Sequence, residues 1–377
     1  MSLYEKIKQE AEDLEPYLIE LRRYLHRTPE LSMQEFHTAE KIAEELNKID
    51  NMKVYTNLAG GTGVMGVLEG NYPGKCIILR ADMDALPVEE VNDLEYKSQN
   101  AGCMHACGHD AHITWVLGSA IVLGKFQGEF PGTVKFVFQP GEESGEGARE
   151  MIEDNQILEN PKADMAFAAH AWPSIEAGKI GIARQFAFGC PGAFQIKIKG
   201  KGGHGSWPHL AINPIMIASQ ICMTLPRIIS ERIDEVEPRA ISIGSIHAGK
   251  EGVGNVIPPE CVMAGTIRAT KQEIMEQIAA EIENVIKSCC NLFGAQYEYT
   301  TQCDICAVEN NKELVSVCKK CAEKILGQDQ VFVVEQDNLG EKTFRNSADE
   351  CHLFICMWES KMKHLENRLS FIVQTLY

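Results

Sequence analysis

Between Met104 and His112 the chain reads MHACGHDAH, crowding a thiol, three imidazoles and a carboxylate into one short stretch. These residue types serve as ligands of a zinc-class ion, as a cysteine nucleophile with its base, or as a thiol loop with structural histidines. Cys107-x-His109 alone is two ligands short of a tetrahedral centre, so a metal site would need donors from elsewhere.

Such donors follow short apolar runs. Asp82 and Asp84 come after CIIL, Glu142 and Glu143 after VKFVF, and His170 after MAFAA. In open α/β sheets the functional groups collect just beyond the carboxyl ends of the strands. A paired carboxylate suits a hydrolytic metal centre, where one member coordinates and its neighbour moves a proton. Thiolate and imidazole point to zinc or another late first-row ion, and carboxylates also accept manganese. Residue types alone leave open a thiol hydrolase in which His105 or His109 activates Cys107.

The elements needed to position these groups are visible in the pattern. Ile7, Ala11, Leu14, Tyr17, Leu18, Leu21 and Leu25 recur at helical spacing over 4–27. SMQEFHTAEKIAEELNKI reads as a second helix, with Ser32 as N-cap and Glu35 completing a capping box. Apolar runs then alternate with helical segments up to about residue 186, which predicts an α/β domain with a mainly parallel sheet and helices on both faces. From 187 the pattern changes to strand, helix, two strands, helix and strand, the order of a ferredoxin-like α+β unit. The first pattern resumes after about 302. The expected division is therefore a first catalytic part (1–186), an inserted domain (187–301) and a second catalytic part (302–377).

Composition narrows the partners. The formal net charge of -17 argues against nucleic acid and anionic membranes, both of which repel an acidic surface. The N-terminal MSLYEKIKQE lacks the apolar core of a secretory signal, and no run is long enough to span a bilayer. The 14 cysteines are scattered through a large chain, as expected of reduced thiols in a cytoplasmic protein. Cys303-x2-Cys306 and Cys318-x2-Cys321 have zinc-like spacing, but the second pair lies in NNKELVSVCKKCAEKILG, an amphipathic helix opened by Asn and closed by Gly. Helix thiols are the expected reading.

RADMDALP (80–87), MHACGHDAH, FQPGEESGEGAREMIE (138–153), HAWP (170–173), GKGGHGSWPH (200–209) and GNVIPPE…GTIR (254–268) together resemble the metal-dependent aminoacylase/carboxypeptidase family. Its amidohydrolase branch includes hippurate hydrolases, N-acyl-amino-acid amidohydrolases and auxin-conjugate hydrolases. The resemblance implies hydrolysis of the amide bond of N-acyl-amino acids or short peptide-like substrates, with two divalent ions (Zn, Mn, Ni or Co). It implies Cys107, His109, Glu143 and His170 as metal ligands, and Glu142 as the general acid/base that activates water and later protonates the leaving amine. Asp84 matches the acidic residue supporting the site, while Asp82 stands where distant relatives keep a metal-binding His. His204 matches a histidine that stabilises the tetrahedral oxyanion, and Asn255 and Arg268 lie in blocks that recognise the substrate carboxylate. The inserted domain would act as lid and homodimer interface. Asp110 and His112 are left as helix-start or outer residues, and His105 as structural.

The C-terminal segment departs from the family pattern. The resemblance implies a late Gly-His-His segment supplying a further metal ligand, whereas here the late histidines are His352 and His364, both in unfamiliar context. The alternative is a catalytically impaired member that keeps the fold as a binding or assembly protein.

Overall fold

The computed structural model describes residues 2–153, 155–172, 175–176, 178–303 and 307–334, together with the backbone of a strand at 352–358. The N-terminal periodicity becomes α1 (Leu3–Arg27), which buries Ile7, Ala11, Leu18, Leu21 and Leu25 on one face. Ser2 and Glu5 form a reciprocal capping box at its start.

α2 (Phe36–Asn47) begins later than its sequence pattern suggested, and the expected capping box is not there. Ser32 instead donates its hydroxyl hydrogen bond to Asp84, and Glu35, at the N-cap position, makes no side-chain cap. Both side chains have the right spacing for a cap, but tertiary partners claim them.

The chain continues through β1 (Lys53–Leu58), β2 (Gly63–Glu69), β3 (Tyr72–Asp82), α3 (His109–Lys125), β4 (Pro131–Gln139), α4 (Gly147–Glu153), β5 (Met165–Ala171), β6 (Ile180–Ala183) and β7 (Phe186–Phe188). There follow β8 (Cys190–Lys199), β9 (Gly203–His204), α5 (Pro214–Arg232), β10 (Arg239–Ala248), β11 (Val256–Ile257), β12 (Glu260–Ala269), α6 (Gln272–Phe293) and β13 (Gln296–Gln302). The last described elements are β14 (Val308–Glu309), α7 (Lys312–Leu326), β15 (Val331–Val334) and β16 (His352–Trp358).

Described residues up to Ala187 and from Glu309 onward form one unit, and those of Phe188–Val308 form a second. The first is built on an eight-stranded mixed α/β sheet in the order β1-β2-β4-β3-β5-β16-β6-β15. Its centre is parallel: β3 pairs in parallel with β4 and β5, and β5 with β16. α3 is buried almost all round, with Ile113, Trp115, Val116, Leu117 and Ala120 in the core, and packs against α1 and β3. A helix apolar on every side belongs inside a layered domain rather than on its surface.

The second unit is an antiparallel sheet in the order β10-β12-β8-β13 with α5 and α6 packed on it. β8 alternates as its sequence does, burying Phe194, Ile196 and Ile198 against Ile217 and Ile221 of α5 and Ile278 and Ile282 of α6. Asn311 caps α7 by accepting the N–H groups of Glu313 and Leu314, and Cys318 and Cys321 ride on that helix as read from the sequence. Cys306 lies outside the described residues. Among the described residues no helix is long and apolar enough to cross a membrane.

Candidate metal centre

Because β4, β3 and β5 are adjacent and parallel, their carboxyl ends bring three polar segments side by side. β3 delivers Asp82 and Asp84, β4 delivers the Glu142–Glu143 turn, and β5 delivers His170. The 104–109 loop closes over them into the start of α3. Gly108 makes that approach possible: its φ of 85° is left-handed, and a Cβ there would lie 2.9 Å from that of Ala171.

The donors converge. Ligand atoms of Cys107, His109 and His170 lie within 4.8 Å of one another, as do those of His109, Glu142 and Glu143. The Cys107 thiol is 3.6 Å from His170 Nε2, and His109 Nε2 is 3.7 Å from Glu143 Oε1. His109 and His170 are buried, Cys107 is partly exposed and Glu143 is exposed.

Hydrogen bonds fix which ring nitrogen of each histidine faces this cluster. His109 Nδ1 is 2.8 Å from the carbonyl oxygen of Asp84, and His170 Nδ1 is 2.6 Å from that of Ala171. A carbonyl only accepts, so both protons sit on Nδ1 and both Nε2 lone pairs turn inward. Two imidazole lone pairs, a thiol able to ionise and carboxylate oxygens are the donors that a divalent first-row ion takes.

A third grouping, Asp82, His109 and His112, is chemically different. His112 Nδ1 donates to Asp82 at 2.5 Å, while His112 Nε2 accepts the backbone N–H of Ala171 at 2.8 Å. With both ring nitrogens engaged, His112 joins β3 to the end of β5 rather than offering a lone pair. Arg80 extends the chain: Nη1 donates to Asp82 at 2.7 Å, and Nε and Nη2 donate to Gln139. Sequence reading missed Arg80 and Gln139. The available signal was an arginine inside the apolar run CIILRAD, on the same strand face as the aspartate two residues on.

Asp84 is a hub. One carboxylate oxygen accepts the Ser32 hydroxyl at 2.7 Å and the Glu143 N–H at 2.9 Å, and the other lies 3.2 Å from His109 Nδ1. Burial alone would raise its pKa, but His109 and these donors outweigh burial and hold the carboxyl below the ordinary carboxylate range.

Behind the loop, Asp110 is fully buried between Arg22 Nε and His26 Nδ1, each at 2.8 Å, and His26 Nε2 reaches Glu90 at 3.2 Å. This network ties the first turn of α3 to α1. His105 is buried with both ring nitrogens lacking a partner among the described residues, and burial lowers its pKa to about 4. It is a neutral core residue.

The other sequence candidates lie in the second unit. His204 on β9 pairs with Val256 on β11, so the GGHGS and GNVIP blocks adjoin. His204 Nδ1 accepts the Ser206 N–H at 3.1 Å, which leaves its ring proton on Nε2. The Asn255 carbonyl accepts the N–H of Gly205, and Arg268 Nη1 donates to the carbonyls of Gly192 and Ile267. His352 opens β16 opposite Met165, five residues before the position opposite His170, so its backbone lies about 16 Å along the strand from that end. His364 lies outside the described residues.

The family model of the M20/M25/M40 peptidases matches residues 78–367. The chain belongs to this family. The M20 chain is 38% identical over 347 residues to thermostable carboxypeptidase 2 of Saccharolobus solfataricus, covering 91% of this chain and 86% of that protein. It is 36% identical over 295 residues to an N-acyl-L-amino acid amidohydrolase of Geobacillus stearothermophilus, covering 78% of each. A crystal structure of a dinuclear metal-binding M20 peptidase from Bacillus subtilis superposes with a TM-score of 0.80 at 29% identity, covering 97% of this chain and 96% of that one. The M20 protein is thus a hydrolase of the carboxypeptidase and amidohydrolase kind, and its donor cluster and dinuclear relative support divalent metal. The catalytically impaired alternative is not favoured.

Proposed function

We propose that this M20 enzyme hydrolyses the amide bond of N-acyl-amino acids or short peptide-like substrates, with two divalent ions (Zn, Mn, Ni or Co) held by Cys107, His109, Glu143 and His170. The observation that carries this is the inward aim of both imidazole Nε2 atoms beside the Cys107 thiol and the Glu pair. When bound, such ions acidify water and polarise the scissile carbonyl.

The chain's own groups account for the proton traffic. Glu142, buried and within 4.8 Å of the His109 and Glu143 donors, takes a proton from water as the water oxygen bonds to the carbonyl carbon. When the C–N bond breaks, the same carboxyl returns that proton to the amine nitrogen. His204, with its proton on Nε2, suits donation to the tetrahedral oxyanion, where losing one donor costs ~10²–10³ in turnover. Asn255 and Arg268 fit the substrate carboxylate, and the 187–301 segment serves as lid and homodimer interface.

The deciding experiment offers N-acetyl- and N-benzoyl-amino acids to the purified protein with and without chelator. Activity that chelator abolishes and added divalent metal restores is the expected result. Turnover that survives chelator and dies on thiol alkylation would instead make Cys107 a nucleophile, and no turnover on any N-acyl substrate would overturn the reading.

A further inference from the structure

Glu35 is fully buried, and its carboxylate joins three segments rather than capping its own helix. Oε1 accepts the N–H of Gly141 at 2.8 Å and that of Met33 at 3.0 Å, and Oε2 accepts the Thr62 hydroxyl at 2.9 Å. Gly141 is the residue directly before Glu142. Met33 holds a left-handed φ of 62°, uncommon for a side chain of its kind, and lies so close to Gly141 that a Cβ there would fall 2.5 Å from its sulfur. Gly141 is itself left-handed at 55°. Three residues before Glu35, Ser32 bonds to Asp84, which in turn holds the Glu143 N–H. The 32–35 turn therefore grips both sides of the carboxylate pair.

We infer that Glu35 is a positioning residue that fixes the turn from β4 into Glu142 and Glu143 through the Gly141 N–H. The inference rests on the hydrolytic reading of that pair. Its chemistry is that of an acceptor: three donors surround the carboxylate, and two of them are backbone groups that a shorter side chain cannot reach. Glutamine can keep the two N–H bonds on its oxygen and donate its amide to the Thr62 oxygen. Aspartate keeps the charge but falls short.

The test compares Glu35→Gln, Glu35→Asp and Glu35→Ala in the full chain, with kcat, KM and metal affinity measured on each. Glu35→Gln is expected within about threefold of wild type in all three. Glu35→Asp and Glu35→Ala are expected to lose kcat by up to about 10²-fold with little change in KM, as displaced catalytic groups do. Their metal affinity is expected to fall by on the order of tenfold. If Glu35→Ala does not fold, the Gln and Asp variants decide. An Asp variant equal to wild type, or a Gln variant as impaired as Asp, overturns the inference. A wild-type protein that neither binds metal nor turns over N-acyl substrates overturns the hydrolytic reading itself.

Discussion

Asp84 holds Glu143 by its backbone, accepting its N–H at 2.9 Å, while the carbonyl oxygen of Asp84 takes the Nδ1 proton of His109 at 2.8 Å. One residue at the end of β3 thereby orients donors that arrive on two other elements.

Replacing it tests that coupling. In Asp84→Asn the remaining acceptor serves Ser32 and Glu143, which turns the amide nitrogen toward the His109 Nδ1–H, donor against donor. Metal affinity is expected to fall roughly 10–100-fold, as loss of such outer partners typically does. Competition against a chromophoric chelator reads this directly, and unchanged affinity would count against the hub.

Cys107 is partly exposed and is not among the residues of the apolar core clusters, so Cys107→Ala should strip metal before it disturbs the fold. Elemental analysis should show lost metal, while the chelated forms of variant and wild type should differ in stability by less than about 1 kcal/mol. A fully loaded Cys107→Ala protein would remove the thiol from the ligand set.

Glu142→Gln separates chemistry from binding. The variant should keep its metal and its KM, while kcat on an N-acetyl-amino acid drops by ~10²–10⁴, the usual contribution of a general base. Loss of metal in parallel would make Glu142 a ligand instead.

His112→Ala leaves the buried N–H of Ala171 without its imidazole acceptor and takes a partner from Asp82. The expected cost is about 1–3 kcal/mol in urea unfolding of the chelated protein. A stability loss that appears only in the metal-loaded form would mean that His112 is a ligand.

Tyr17 and Glu45 give α1 and α2 a pH signature. The Tyr17 hydroxyl donates to Glu45 Oε2 at 2.5 Å, and Lys41 and Lys48 flank the same carboxylate. Burial, then the bond to Glu45, raises Tyr17 to about 12. A raised pKa favours the protonated form in the fold, so this stabilisation is complete below pH 10 and lost as pH rises towards 12. Burial alone would raise Glu45, but Lys41, Tyr17 and Lys48 lower it, so its share persists above the ordinary glutamate pKa and fades in acid. Melting temperatures of wild type and Tyr17→Phe should converge between pH 10 and 12. A gap that stays constant through that window would discount the contact.

The sequence made the strand-end donors legible because a parallel sheet leaves one place for polar groups after apolar runs, and Asp84, Glu142, Glu143 and His170 all occupy it. It also located α1 and α7, whose periodicity or caps are local. Ser32 and Glu35 were misread for the opposite reason: their spacing fits a capping box, and only distant residues, Asp84 and Gly141, redirect them. The same distance hid Arg80 and Gln139, whose pairing spans β3 and β4. Nor does any local pattern reveal that β16 enters the sheet between β5 and β6, parallel to one and antiparallel to the other.

That insertion sets an order on the ribosome. While the nascent chain is shorter than about residue 358, β5 has β3 on one side and an open edge on the other. The Phe188–Val308 unit has all its strands and helices well before then and can close first. The strand that carries His170 must wait for a segment translated nearly two hundred residues later, with its unpaired backbone exposed to any passing strand until it arrives.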